Sequence, residues 1–171
     1  MSPVRAGLVK NSSIAAENNR EADKIIEYRI AQKEHLNGIL TLYRQLVPDD
    51  EPLSKKQADK IWDRIEKQEI KYFIAAEGGR IVSSLYLVII PNLTRGGKSI
   101  GIIENVITDT EYRRKGIGKK LIETALAYAK ENNCYKILLQ SNNKRKEAHK
   151  FYTRCGFNGD SKRAFEYRYD L

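Results

Sequence analysis

A short basic segment rich in glycine, at residues 113–118, has the side chains and spacing best suited to chemistry. It reads Arg-Arg-Lys-Gly-Ile-Gly and lies between an apolar, β-branched run at 102–108 and an amphipathic stretch at 119–130. Glycine lets a backbone approach a phosphate closely, and the free N–H groups of a helix N-terminus favour negative charge. The segment matches neither the Walker motif nor the dinucleotide fingerprint. It predicts an anion-binding loop, although a solvated basic turn has the same local composition.

The elements that must position this loop follow from the apolar periodicity. Helical spacing predicts helices at 34–46, 54–67, 119–130 and 147–154. Alternating or continuous apolar runs predict strands at 25–30, 71–76, 81–90, 100–108, 136–140 and 164–169. Strands and helices in this order predict an α+β domain built around a mixed sheet.

The chain length predicts one domain at residues 25–171, preceded by a flexible N-terminal extension at residues 1–24. The extension lacks the apolar core of a signal peptide, and no apolar run approaches the roughly 18 residues of a membrane span. We therefore expect a cytoplasmic protein without membrane contact. Cys134 and Cys155 are expected to be reduced thiols, and no metal-ligand cluster is expected.

The charge balance is strongly basic, with 31 Lys and Arg against 22 Asp and Glu and a net charge of +9. A basic surface suits a phosphorylated cofactor or nucleic acid, and it also serves solubility alone. The positive charge is spread along the chain without an RNA- or DNA-binding motif, so nucleic acid is not expected as a partner.

Two segments together resemble the GNAT superfamily of acyl-CoA-dependent N-acyltransferases. Arg113-x-x-Gly116-x-Gly118 matches the family's Q/R-x-x-G-x-G/A pyrophosphate loop, and residues 148–157 match its later A-x-x-F-Y-x-x-x-G-F segment. Residues 141–152 also resemble aminoalkylphosphonate N-acetyltransferases. Short stretches at 103–106 and 134–137 are similar to amino-sugar-phosphate N-acetyltransferases.

The resemblance implies a GNAT fold, with a mixed, mostly antiparallel sheet of about seven strands, about four helices and a cleft between two splayed strands. It implies acetyl-CoA as the acetyl donor in that cleft, and it makes a homodimer an expected assembly. The implied cofactor-binding residues are Val106, Ile107, Thr108, Arg113, Arg114, Lys115, Gly116, Ile117, Gly118, Lys119 and Asn143. Many family members carry an asparagine where this chain has Arg145, and Asn143 is the residue available to replace it.

The implied reaction is direct attack of a primary amine on acetyl-CoA in a ternary complex, which needs a base and an acid. Glu104 lies in an apolar strand pattern, where partial desolvation would raise its pKa and suit it as the base. The alternatives are that Glu104 faces solvent or pairs with a cation, and that His149 is the base. Tyr152 occupies the position that serves the family as general acid, and core packing is its alternative role.

Three classes of function stay open. The favoured class is an N-acetyltransferase of a small-molecule amine, in which residues 49–51 could attract an ammonium group and cations at 144–146 a phosphate. A protein lysine or N-terminal acetyltransferase would need a peptide groove near residues 93–97. A non-catalytic acetyl-CoA-binding module would not need Glu104 and Tyr152.

Overall fold

The structure, a computed structural model, describes residues 25–169. The strands are β1 (Ile26–Ile30), β2 (Ile70–Glu77), β3 (Arg80–Ile90), β4 (Ser99–Thr108) and β5 (Cys134–Leu139). The α-helices are α1 (Leu36–Tyr43), α2 (Lys55–Ile65), α3 (Ile117–Glu131) and α4 (Lys146–Arg154). The extension predicted at residues 1–24 lies outside the described residues and stays a prediction, as does the domain boundary that follows it.

The five strands form one sheet in the order β1-β2-β3-β4-β5. Neighbours are antiparallel as far as β4, whereas β4 and β5 are parallel and are connected through α3. A parallel pair needs such a crossover because both strands run in the same direction. The mixed, mostly antiparallel sheet and its four helices confirm the predicted α+β class.

Helices cover both faces of the sheet, and each face has its own apolar core. Beneath α3, Leu121, Ile122, Ala125 and Ala129 repeat at helical spacing and are buried with Phe73 of β2. Burial of one large apolar side chain of this kind contributes about 1.5–3 kcal/mol. The opposite face carries a second core beneath α1 and α2.

Local signals in the sequence account for the helix ends. Ser54 begins α2 with a capping box, in which its hydroxyl accepts from the N–H of Gln57 while the Gln57 side chain accepts from the N–H of Ser54. Gly156 follows α4 with φ of +91°, a left-handed conformation that favours glycine. None of the described helices combines the length and the apolar composition needed to cross a membrane.

The C-terminal segment departs from the prediction. Residues 164–169 alternate like a strand, yet they form none, and Phe165, Tyr167 and Tyr169 are 87%, 82% and 94% exposed. Alternation marks two faces, but a strand also needs a neighbouring strand that accepts and donates hydrogen bonds. The predicted count of about seven strands is therefore wrong, because residues 25–169 form five.

Candidate active site

A bulge in β4 sets the geometry of the site. Ser84 of β3 pairs with Ile107, and Tyr86 pairs with Glu104, so Asn105 and Val106 together lie opposite a single residue of β3. Asn105 has φ of +52°, a left-handed conformation that asparagine tolerates better than most residues. The extra residue reverses the alternation of side chains along the rest of β4.

The effect of the bulge is visible in the two cores. Ile103 and Val106 both pack against the core beneath α3, although they are three residues apart. Ile107 belongs instead to the core beneath α1 and α2. Glu104 consequently faces the α1 and α2 side of the sheet, next to the point where the strand backbone is distorted.

Glu104 ends a row of cross-strand partners made by Tyr72, Tyr86 and Glu104 on three adjacent strands. Paired residues share a face of the sheet, and the Tyr72 and Tyr86 rings lie 5.2 Å apart between centroids. Trp62 of α2 packs on the far side of Tyr72, with 5.4 Å between ring centroids. The three residues of the row are only partly buried, so they form an aromatic floor that ends in a carboxylate.

Partial burial raises the pKa of Glu104 above its ordinary value. Burial also raises the pKa of Tyr86, and the charge of Glu104 raises it further. A carboxyl with a raised pKa accepts a proton more readily near neutral pH, which suits proton abstraction from an ammonium group.

The pairing of β4 with β5 ends beside this row, where β5 itself ends at Leu139. Their parallel pairing runs from Ser99 with Cys134 to Ile103 with Leu139, and no further β4–β5 pair is described. The backbone at Val106, Ile107 and Thr108 lies beyond the last pair, on the side of β4 that β5 leaves open. The end of β4 therefore has no β5 partner at the place where the resemblance predicts a splayed cleft.

The glycine loop follows at the end of β4. Gly116 has φ of +80° and begins α3 without a side-chain cap, and the first intrahelical bond runs from the N–H of Lys120 to the Gly116 carbonyl at 3.0 Å. The N–H groups of the first turn are left without intrahelical partners, as an anion site requires. At Gly118 a Cβ atom would lie 2.8 Å from Thr108 Oγ1 and 3.5 Å from Phe151 Cζ, so only glycine lets the helix approach the strand this closely.

The cations of the loop are exposed, but two of them have contacts within the protein. The Arg113 Nε–H donates to the Thr108 carbonyl at 3.0 Å, which folds the loop back on the end of β4. The Lys115 ammonium lies 4.7 Å from the centre of the Tyr112 ring. Arg114 adopts φ of +62°, and Lys119 lies 3.8 Å from Glu123.

A buried carboxylate anchors the loop to the β2–β3 hairpin. Arg80 donates to Asp109 at 2.8 Å and to Glu111 at 3.0 Å, and its guanidinium lies 5.3 Å from the Tyr112 ring centre. Burial raises the pKa of Asp109, but the Glu111 N–H and the Arg80 and Gln45 side chains outweigh burial and hold that pKa below its usual range. Asp109 is thus a structural anion, placed to fix the start of the loop.

Tyr152 lies on α4 and is buried in the core beneath α3. Its ring is 9% exposed and packs against Phe151 and Phe157, with centroids 5.3 and 6.2 Å away. Burial raises the pKa of Tyr152, the charge of Arg145 lowers it and the charge of Glu104 raises it again. Tyr152 therefore stays protonated near neutral pH and lies within electrostatic reach of Glu104.

The other sequence candidates lie in the turn before α4 and, for His149, within α4 itself. His149 Nε2 lies 3.0 Å from the Asn142 carbonyl oxygen, and the N–H of Lys144 donates to Asn142 Oδ1 at 2.9 Å. These contacts hold the turn that presents Asn143 and Arg145, both of which are exposed. His149 is engaged in this turn, whereas Glu104 lies at the cleft.

Tyr72, Tyr86 and the bulge at Asn105 were not identified from the sequence. Alternation along β4 gives no sign of an extra residue, because the apolar run at 102–107 is almost continuous. An asparagine inside that run is the one local signal that could have indicated a left-handed position.

These features define a class of protein. Residues 36–157 match the model of the Acetyltransferase (GNAT) family, which is more than half of the chain. The chain belongs to this family and is an acetyltransferase that uses acetyl-CoA as its donor and an amine as its acceptor. The predicted family, enzyme class and cofactor are confirmed.

Particular relatives narrow the comparison. The chain is 36% identical over 134 residues to glucosamine 6-phosphate N-acetyltransferase of Trypanosoma brucei brucei, which covers 77% of this chain and 88% of the relative. The crystal structure of a Trypanosoma brucei acetyltransferase matches with a TM-score of 0.74 and 33% identity, over 86% of this chain and all of that one. Glucosamine-6-phosphate N-acetyltransferase from Arabidopsis thaliana, at 24% identity and a TM-score of 0.74 over 86% of this chain, shares the fold.

Proposed function

We propose that this enzyme transfers the acetyl group of acetyl-CoA to the primary amine of an amino sugar phosphate such as glucosamine 6-phosphate. The observation that supports the proposal is a half-buried carboxyl with a raised pKa, Glu104, whose charge acts on the Tyr152 phenol, beside the unpaired end of β4 and an uncapped helix N-terminus. The Trypanosoma relative named for this activity spans most of both chains, which supports the choice of acceptor.

The described residues suit the cofactor. Acetyl-CoA supplies an activated thioester carrying a negatively charged pyrophosphate. We assign its binding to the open edge of β4, the loop, the first turn of α3 and the turn before α4: Val106, Ile107, Thr108, Arg113, Arg114, Lys115, Gly116, Ile117, Gly118, Lys119 and Asn143. Unpaired N–H groups and exposed cations at these positions match the phosphate charge.

Glu104 and Tyr152 each carry out one of the two proton transfers. Glu104 takes a proton from the acceptor ammonium, so that the neutral amine attacks the thioester carbonyl. A backbone N–H at the open edge near Val106 donates to the carbonyl oxygen as negative charge develops on it. Tyr152 donates its phenolic proton to the departing thiolate, and transfer takes place directly within a ternary complex.

The acceptor is assigned to the open half of the face beneath α1 and α2. Ile74, Ile81 and Ile107 are buried there under the helices, while Tyr72 and Tyr86 stay partly exposed next to Glu104. Aromatic faces beside a carboxylate suit a sugar ring that carries an ammonium group. Exposed cations at residues 144–146, in the turn that borders Tyr152, suit its phosphate.

The test is release of coenzyme A thiol from acetyl-CoA with a panel of acceptors: glucosamine 6-phosphate, glucosamine, an aminoalkylphosphonate and a lysine peptide. We expect kcat/KM to be highest for the sugar phosphate, and Tyr152→Phe to lower kcat by about 10²-fold or more without changing the KM for acetyl-CoA. Turnover confined to the peptide would establish a protein acetyltransferase instead. Saturable acetyl-CoA binding with no turnover on any acceptor would establish a binding module.

We also propose that the enzyme forms a homodimer through the outer edge of β5. This edge has no partner strand among residues 25–169, and Tyr135 and Leu138 on β5 are exposed. The C-terminal segment alternates like a strand, and its exposed aromatic side chains could pack on the apolar side chains of β5. If the segment of a second copy paired with the edge of β5, the edge would gain a partner strand and the aromatic side chains would be covered.

The cytoplasm is the location we propose for this activity. Cys134 and Cys155 are both free thiols, as expected in a reducing compartment. Burial raises the pKa of each thiol, which keeps them unreactive.

A further inference from the structure

Two neighbouring serines of β3 lie opposite the end of β4. Ser83 pairs with Thr108 and Ser84 with Ile107, and both serines are wholly buried. The Ser83 hydroxyl donates to the Ile107 carbonyl at 2.7 Å and lies 2.8 Å from Thr108 Oγ1. The Ser84 hydroxyl, by contrast, has no hydrogen-bond partner within residues 25–169. A buried hydroxyl bonded twice to one short stretch of a neighbouring strand is suited to fix that stretch.

The protons of this cluster follow from the chemistry of a hydroxyl group. A serine hydroxyl carries one proton. Because Ser83 gives that proton to the Ile107 carbonyl, the Thr108 hydroxyl is the donor in the contact between the two side chains. A chain of two hydrogen bonds therefore runs from Thr108 Oγ1 through Ser83 Oγ to the Ile107 carbonyl, and bonds in such a chain strengthen one another.

The carbonyl at the end of the chain belongs to the peptide unit that joins Ile107 to Thr108. Residues 25–169 contain no cis peptide bond, and in a trans peptide the C=O and N–H groups point in opposite directions. Since the Ile107 carbonyl faces β3, the Thr108 N–H faces the edge of β4 that has no β5 partner. The next N–H, that of Asp109, faces β3 again and donates to the Val82 carbonyl at 2.9 Å.

We propose that Ser83 is a positioning residue for the cofactor, whose hydroxyl holds this peptide unit so that the Thr108 N–H is a fixed donor toward bound acetyl-CoA. Beyond Ile103 no bond from β5 orients β4, so the orientation of this backbone depends on β3. Ser83 is buried and does not itself touch the cofactor. The inference rests on the assignment of Thr108 to the cofactor site proposed above.

Ser83→Ala and Ser84→Ala in the full-length enzyme make a matched pair, because each removes one oxygen from a wholly buried serine of the same strand. Only Ser83→Ala removes hydrogen bonds. We expect Ser83→Ala to raise the Kd for acetyl-CoA, measured by calorimetry, by about threefold to tenfold, the worth of one hydrogen bond. Ser84→Ala should keep the wild-type Kd, and both should keep the KM for the amine acceptor. Equal Kd values in the two variants would overturn the inference.

The amide resonance of Thr108, followed by NMR in enzyme labelled with nitrogen-15, separates this inference from the assignment beneath it. In the wild type the resonance should shift when acetyl-CoA is added. If it does not, the assignment of Thr108 to the cofactor site is wrong and the inference fails with it. If it shifts while Ser83→Ala binds as tightly as Ser84→Ala, the assignment stands and only the role of Ser83 is wrong.

A double variant keeps the test decisive if Ser83→Ala does not fold. Ser83→Ala alone leaves the Thr108 hydroxyl without its acceptor, whereas Ser83→Ala combined with Thr108→Val removes both hydroxyls and leaves fewer buried polar groups unpaired. The double variant should show the same rise in Kd, because the Ile107 carbonyl still lacks its side-chain donor. A double variant that binds acetyl-CoA as tightly as the wild type contradicts the proposal.

Discussion

Glu104 illustrates how burial on a strand can raise the pKa of an ordinary carboxyl. Burial, rather than a neighbouring charge, raises its pKa, and Tyr86 is its cross-strand partner on β3. The same burial that makes the carboxylate a better proton acceptor also makes its charged form costly. The sign of the resulting pH dependence follows directly, because the base works only when it is ionised.

The first prediction concerns this pH dependence. In the wild-type enzyme kcat/KM should fall as pH decreases through the raised pKa of Glu104, with an acid limb above the ordinary value of 4.5. Glu104→Gln should lower kcat/KM by about 10²- to 10⁴-fold and abolish that limb. Glu147→Gln, an exposed position on α4 paired with Lys150, is the control and should behave as wild type. A limb that survives in Glu104→Gln would assign it to another group.

At the residue scale, the sequence identified two candidate site residues, Glu104 and Tyr152, and missed other residues on the same face of the sheet as Glu104. Glu104 was identifiable because a charge in an apolar strand is unusual, and Tyr152 because it lies in a family motif. Tyr43, Tyr72 and Tyr86 each look like ordinary core residues. Strand register and the packing of α1 bring these residues to one face of the sheet, and the spacing of residues along the sequence predicts neither.

Among the elements, the unit of strand, loop and helix depends on one close approach. Gly118 lies where α3 meets both Thr108 and Phe151, and Thr108 Oγ1 is in turn 2.8 Å from Ser83 Oγ. The start of α3, the end of β4 and α4 are therefore closely packed against one another at this point. The loop was predicted from its glycine spacing together with the strand before it and the helix after it, whereas this three-way contact was not predicted.

Gly118→Ala should test that contact. The added methyl group must displace the Thr108 hydroxyl, and overpacking of this kind costs about 1–3 kcal/mol of unfolding free energy. We expect the Kd for acetyl-CoA, measured by calorimetry, to rise as the first turn of α3 shifts. Gly159→Ala is the matched control, since nothing lies within 4 Å of the added atom. Equal affinity in both variants would show that the loop tolerates a Cβ at this position.

At the scale of the described residues 25–169, the outer edge of β5 lacks a partner strand and the C-terminal segment is exposed. The segment at 164–169 was predicted to be a strand because its side chains alternate, and the prediction is wrong for one chain. Alternation is a property of the segment itself, whereas pairing is a property of its surroundings.

A dimer would explain why residues 164–169 alternate like a strand and yet form none in a single chain. Sedimentation equilibrium should give twice the chain mass of 19.7 kDa for the wild type. Tyr167→Asp, an exposed substitution that leaves both cores untouched, should shift the mass toward a single chain because it places charge in an apolar contact. Tyr135→Phe keeps the apolar surface of β5 and should stay dimeric. A wild type that sediments as one chain at all concentrations would contradict the assembly.

The end of β5 at Leu139 has a consequence for the folded state itself. Past Ile103, β4 has no β5 partner, so this part of the sheet lacks the hydrogen-bond ladder that ties neighbouring strands together. A ligand whose amide groups lie along the open edge of β4 supplies bonds that a sixth strand would otherwise make. Such a ligand takes the place of a neighbouring strand as well as entering the reaction. The amide protons of β4 beyond Ile103 should therefore exchange with solvent more slowly once it is bound.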